Sequence, residues 1–184
     1  NGSGQVSGSA VSSTGVTAND GIKINGVDLG EVTGTTAADK AFAINAISDE
    51  SGVTASATTT VSYEATISAL SAASSALTIN GVVMTMTAAT SLDDVVSTIN
   101  AAGIQGVVAT ADNETGSLVL TSQAGSDIIV KSGTANALGT LAASAETRTG
   151  GEITLTGKDG ADVVITSTAG TQSDQDTALA KIGV

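Results

Sequence analysis

The 184-residue chain contains no cysteine, no histidine and no tryptophan, one phenylalanine, one tyrosine, and six Lys and Arg residues against eighteen Asp and Glu. Without cysteine there is no disulfide framework and no thiolate metal site. With neither His nor Cys, the usual nucleophile–base pairs cannot be assembled apart from Ser–Lys variants, and no Ser-x-x-Lys spacing occurs. A net charge of −12 opposes binding to nucleic acid or to anionic membrane, both of which select Lys and Arg. Phe42 and Tyr63 are too few for base or sugar stacking. No apolar run reaches the roughly 18 residues of a membrane-spanning helix. Asn1-Gly2-Ser3-Gly4 is polar and uncharged, unlike a signal peptide, and the abrupt ends suggest a fragment or processed product. The Lys and Arg residues fall in expected turns or helices and read as solvated charge.

What remains is aliphatic. The sequence is 41% hydrophobic with regular alternation, so Val, Ile, Leu and Ala must carry the core of a β-rich, folded chain. The clearest unit is Leu77–Lys131. Leu77-Thr78-Ile79 and Val82-Val83-Met84 flank Asn80-Gly81, a pair suited to a two-residue hairpin whose central residues both need positive φ. Apolar residues at 92, 95, 96, 99 and 102 predict a helix opened by a Ser91/Asp94 capping box and stopped at Gly103. Strands at 106–111, 117–121 and 127–131 follow, joined by turn-rich segments. The expected unit is ββαβββ, an antiparallel sheet with one helix.

Parts of this unit recur. Ile22–Leu29 repeats the hairpin around Asn25-Gly26, and Thr36/Asp39 opens a helix through Phe42, Ile44 and Ile47 at an offset of about 55 residues. Asn45 aligns with Asn100. The first copy breaks off after a strand at 53–60, and its missing strands recur at 152–166, aligned with 117–131 at an offset of about 35. The fold class expected is therefore α+β and β-rich, with two similar ββαβββ modules, the second inserted into the first. The outer module comprises 1–60 and 148–184, and the inner one 61–147. Residues 1–20 read as an extended, frayed lead-in, and Ser173/Asp176 as the cap of a short final helix. A tandem pair with one degenerate partial repeat is the alternative.

Ile24-Asn25-Gly26-Val27 with Ile44-Asn45-Ala46, and Ile79-Asn80-Gly81-Val82 with Ile99-Asn100-Ala101, resemble the flagellin hook IN motif of bacterial flagellins and of hook-associated and cap proteins. The resemblance implies a structural, non-enzymatic outer domain of hypervariable type. It would be extracellular on a motility filament, with the outer module nearer the filament core and the inner one distal. Its partners would be other flagellin subunits, with host or antibody contacts at the surface. The long terminal helices of a flagellin are absent, so the piece alone is expected to stay monomeric. A hook-associated or cap protein, or an adhesin-like glycan-binding domain, are the alternatives.

No catalytic, cofactor or metal residue is nominated. Gly151–Lys158 superficially matches a phosphate loop, but five residues separate its glycines and it reads as a strand. Asp112-Asn113-Glu114 and Asp159-Gly160-Ala161-Asp162 lack calcium-loop spacing and fit tight turns. Asn113-Glu114-Thr115 matches a glycosylation triplet but is also explained as a turn. The motif residues singled out are Asn25, Gly26, Asn80 and Gly81, explained by hairpin geometry, and Asn45 and Asn100, expected to bond nearby backbone or solvent.

Overall fold

The computed structural model describes residues 4–73 and 75–184. In chain order the elements are β1 (Gln5–Ala10), β2 (Ile22–Ile24), β3 (Val27–Asp28), α1 (Ala37–Ala46), α2 (Ser48–Ser51) and β4 (Val53–Glu64). Then come α3 (Ile67–Leu70), β5 (Ala76–Ile79), β6 (Val82–Thr85), α4 (Leu92–Ala101), β7 (Val108–Asp112) and β8 (Ser117–Ser122). The chain ends with β9 (Ile128–Ser132), β10 (Glu146–Thr149), β11 (Glu152–Gly157), β12 (Ile165–Ser167) and α5 (Gln172–Ala180). The protein is mixed α+β and strand-rich, and its sheets are built from antiparallel pairs.

Two compact units form. One contains the described residues up to Thr59 together with Ala124–Ser126 and Gly150–Val184, and the other contains Thr60–Gln123 and Asp127–Thr149. In the first, β2 pairs with both β3 and β12, and β11 pairs with β1 on one side and with Val53–Thr58 of β4 on the other. Its core joins Ile22, Ile24, Ile44, Val53, Ile153 and Leu155 under α1 and α5. In the second, β10, β9, β5 and β6 lie side by side in that order, and β7 pairs with β8. Leu77, Ile79, Val95, Ile99, Leu118, Leu120, Ile128 and Val130 fill its interior. Aliphatic side chains, with Met84 and Met86 in the second unit, make up most of both cores, consistent with about 1.5–3 kcal/mol from each fully buried large residue.

The three longer helices, α1, α4 and α5, start the same way. Thr36 before α1, Ser91 before α4 and Thr171 before α5 each accept a hydrogen bond from the backbone N–H three residues on, and Asp39, Asp94 or Asp174 accepts one in turn from the cap residue's backbone N–H. Asp shortens the reach of the usual Glu yet closes the same reciprocal pair. Asp94 accepts from the Thr90 and Ser91 backbone and the Thr90 hydroxyl, and these bonds hold its carboxyl below the ordinary carboxylate range. The cap of α5 is thus Thr171, two residues earlier than Ser173. Two overlapping boxes compete there, and the earlier one leaves Asp176 free to accept from Gln172 Nε2 at 2.8 Å while Ser173 lies inside the helix.

The lead-in also differs from expectation. Residues 5–10 form β1 against β11, in register Gln5↔Thr156 to Ser7↔Thr154, and Val11 and Val16 are buried. Residues 1–3 lie outside the described residues. Local propensity is weak here; the unpaired side of β11 supplies the hydrogen bonds that order the strand. A Cβ on Gly8 would come within 2.5 Å of the Gly183 carbonyl oxygen, so glycine is what admits that close approach.

The reading of all Lys and Arg as solvated charge fails at Lys40, which is fully buried in α1 and donates to the Ser12 carbonyl at 2.8 Å. Its counterpart at the 55-residue offset is Val95, a fully buried core residue. Phe42, on the same helix, is 79% exposed. Arg148 lies on strand β10 and grips Asp127 in a bidentate pair (Nε to Oδ2 2.5 Å, Nη2 to Oδ1 2.9 Å). Lys181 pairs with Asp20 at 2.8 Å.

Candidate functional site

Of the six residues singled out from sequence, Asn25, Gly26, Asn80 and Gly81 form two equivalent turns. Asn25 and Asn80 have φ of 50° and 48°, and Gly26 and Gly81 both have 83°, so both central residues are left-handed as a type I′ turn requires. Ile24 faces Val27 and Ile79 faces Val82 across them.

Hairpin geometry does not exhaust the role of the asparagines. Asn80 turns its side chain onto the neighbouring strand: Oδ1 accepts from Ile129 N–H at 2.7 Å, and Nδ2 donates to the Asp127 carbonyl at 3.1 Å. Its backbone N–H also donates to the Ile129 carbonyl at 2.9 Å. Asn25 repeats the pattern, accepting from Val164 N–H at 2.8 Å and donating to the Asp162 carbonyl at 3.2 Å. Its backbone N–H reaches the Val164 carbonyl at 2.7 Å, and Nδ2 adds a bond to the Ser51 carbonyl at 3.0 Å. Asp127 and Ile129 precede Asp162 and Val164 by the same 35 residues noted in the sequence. Each amide therefore acts as a two-pronged clamp that fixes a third strand on the hairpin.

Asn45 and Asn100 form a second pair of clamps. Asn100, near the end of α4, exchanges two hydrogen bonds of 2.9 Å with the backbone of Ala109 in β7. Asn45 does the same with Ala55 of β4, at 2.9 and 2.7 Å. Only a side chain with both a donor and an acceptor can satisfy the N–H and C=O of one residue together; Asp lacks the donor. The amide thus sets the axial position of each helix against the strand that follows it. Sequence alignment of the two copies marked these asparagines, but their targets lie 9 to 139 residues away, and no local signal names them.

The remaining candidates reduce to turn and packing roles. Asp112 Oδ1 accepts from Glu114 and Thr115 N–H, which closes the turn, and the Thr115 hydroxyl together with these N–H groups lowers its carboxyl pKa. Among the described residues, no three His, Cys, Asp or Glu side chains are grouped to hold a metal ion. In the phosphate-loop-like stretch, a Cβ on Gly151 would crowd Thr59 Oγ1 and Ala37, and one on Gly157 would strike the Ala161 carbonyl. Both glycines serve close packing. A cavity of about 500 Å³ beside this stretch places Lys158 with Asp49 and Asp159, so the single cation faces two carboxylates. That charge balance disfavours an anionic phosphate.

Residues 75–124 match the flagellin hook IN motif. The matched span holds the β5–β6 hairpin, α4, β7 and β8, and with them Asn80, Gly81 and Asn100. The match covers 50 of the 184 residues and supports a flagellin-related structural protein. The strand that the Asn80 clamp holds, Asp127–Ile129, lies just beyond the matched span. No curated protein matches the chain. No helix among the described residues is long and apolar enough to cross a membrane.

Proposed function

We propose that this chain is a surface-exposed outer portion of a bacterial flagellin, a non-catalytic part of the motility filament. In this reading the module at 61–147 is a second copy of the IN motif inserted into a discontinuous module made of 1–60 and 148–184. The outer module sits nearer the filament core. The observation that carries the proposal is the repetition of the clamp set. The matched span contributes Asn80 and Asn100, and Asn25 and Asn45 make the same bonds on the other unit. The charge of −12 suits cladding that stays hydrated and repels unregistered copies.

Immunogold labelling of native filaments with antibody raised against residues 1–184 tests the reading. Gold along the whole filament is expected. Gold confined to the hook junction or to the tip would replace it with a hook-associated or cap protein, and a glycan-array signal from the isolated chain would favour an adhesin.

A further inference from the structure

Asn-Gly is the sequence most prone to spontaneous deamidation, because glycine offers no side chain to obstruct cyclisation. In that reaction the Gly backbone nitrogen attacks the Asn side-chain Cγ. A new C–N bond forms, the Cγ–Nδ2 bond breaks, and ammonia leaves with the proton taken from the attacking nitrogen. Water then opens the succinimide at either carbonyl to give Asp or isoAsp. Overall, ammonia is lost and water gained, and no other reactant is needed. The two hairpin turns carry this labile pair, one in each unit, and nothing lies within 4 Å of where a Cβ would stand on Gly26 or Gly81. No neighbour crowds the glycine side of the reaction.

The asparagine side is held. To be attacked, Cγ of Asn80 must swing toward the Gly81 nitrogen, but its Oδ1 is engaged by Ile129 N–H and its Nδ2 by the Asp127 carbonyl. Asn25 is held by Val164 N–H and by two carbonyls, those of Asp162 and Ser51. We propose that Asn80 is a latent deamidation site, kept unreacted by the strand its side chain clamps, with Asn25 a second and more tightly held one. The order follows from the count of acceptors on the leaving nitrogen, one at Asn80 and two at Asn25. Conversion is one-way. A carboxylate at position 80 cannot donate to the Asp127 carbonyl, and isoAsp adds a main-chain atom to a two-residue turn, so the modified hairpin loses the Nδ2 prong of its clamp while the β5–β9 backbone pairing remains.

The test uses the full chain at mildly alkaline pH, in buffer and in concentrated urea, with peptide mapping by mass spectrometry to follow amide-to-carboxyl conversion at each site. In urea the two sites are expected to react at the same rate. In buffer both are expected to slow by at least about tenfold, as disengaging two hydrogen bonds requires, with Asn80 converting ahead of Asn25. Equal rates in buffer and urea would overturn the proposal, since the clamps would then protect nothing. Asn25 reacting first in buffer would overturn the stated order and its basis in acceptor count.

Discussion

Replacing Asn80 separates the two tasks its side chain performs. In Asn80→Gly the left-handed φ of 48° remains accessible, while the bonds to Ile129 N–H and the Asp127 carbonyl are lost. Two hydrogen bonds at about 1 kcal/mol each set an upper value near 2 kcal/mol. Asn80 is exposed, so water recovers part of that, while the extra freedom of an unfolded Gly-Gly pair adds about 0.5–1 kcal/mol to the loss. The net expectation is a loss of about 1.5–2 kcal/mol. Asn80→Ala adds the penalty of holding a Cβ in the left-handed region, about 1–2 kcal/mol more. Urea unfolding followed by far-UV circular dichroism reads both, with Asn113→Ala in the β7–β8 turn as a control expected within about 0.5 kcal/mol of the parent. For a unit of this size, 1 kcal/mol corresponds to about 4–8 °C in Tm. If Asn80→Gly melts with the parent while Asn80→Ala falls by 1–2 kcal/mol, only backbone geometry matters and the clamp carries no stability.

Lys40→Ala should lower stability by about 2–5 kcal/mol, because it opens a core position and removes the donor to the Ser12 carbonyl, whereas Lys40→Met should lie within about 1.5 kcal/mol of the parent; denaturant melts distinguish them. Acid should destabilise the unit holding Asp20. Burial raises its carboxyl pKa, but hydrogen bonds from Lys181 and Thr17 outweigh this and leave it below the ordinary 3.8. A depressed folded-state pKa means the stabilisation is complete above about pH 4 and drains away as pH falls through the folded value. Lys181→Met should weaken that acid dependence in a pH series of urea midpoints. Finally, residues 60–149 expressed alone should give a cooperative melt and dispersed amide resonances. An unfolded product would count against an inserted module that carries its own core.

Much of the chain was legible because its signals are local. Asn-Gly between short β-prone runs, Ser or Thr three residues before Asp, and glycine where φ is positive all act within a few residues, and α1, α4 and both hairpins follow from them. The internal offsets of 55 and 35 residues also point to which distant strands are equivalent. Long-range partners were not legible. The Ser173 box satisfied the same local rule as the Thr171 box, and only the finished packing chose between them. Residues 5–10 have too little alternation to announce a strand, yet β11 had a side to fill.

Sequence by itself determined most of the elements, β1, α3 and β10 aside, with both hairpin turns and the largely aliphatic character of both cores, since backbone preference and hydrophobic period act at short range. Tertiary structure alone decided that Lys40 would be buried and Phe42 exposed. It also decided that four asparagine amides would each close on a backbone that the chain reaches only after folding. A hydrogen bond between residues 80 and 129 leaves no local mark in the sequence. Its geometry exists only once the sheet has brought the two strands together.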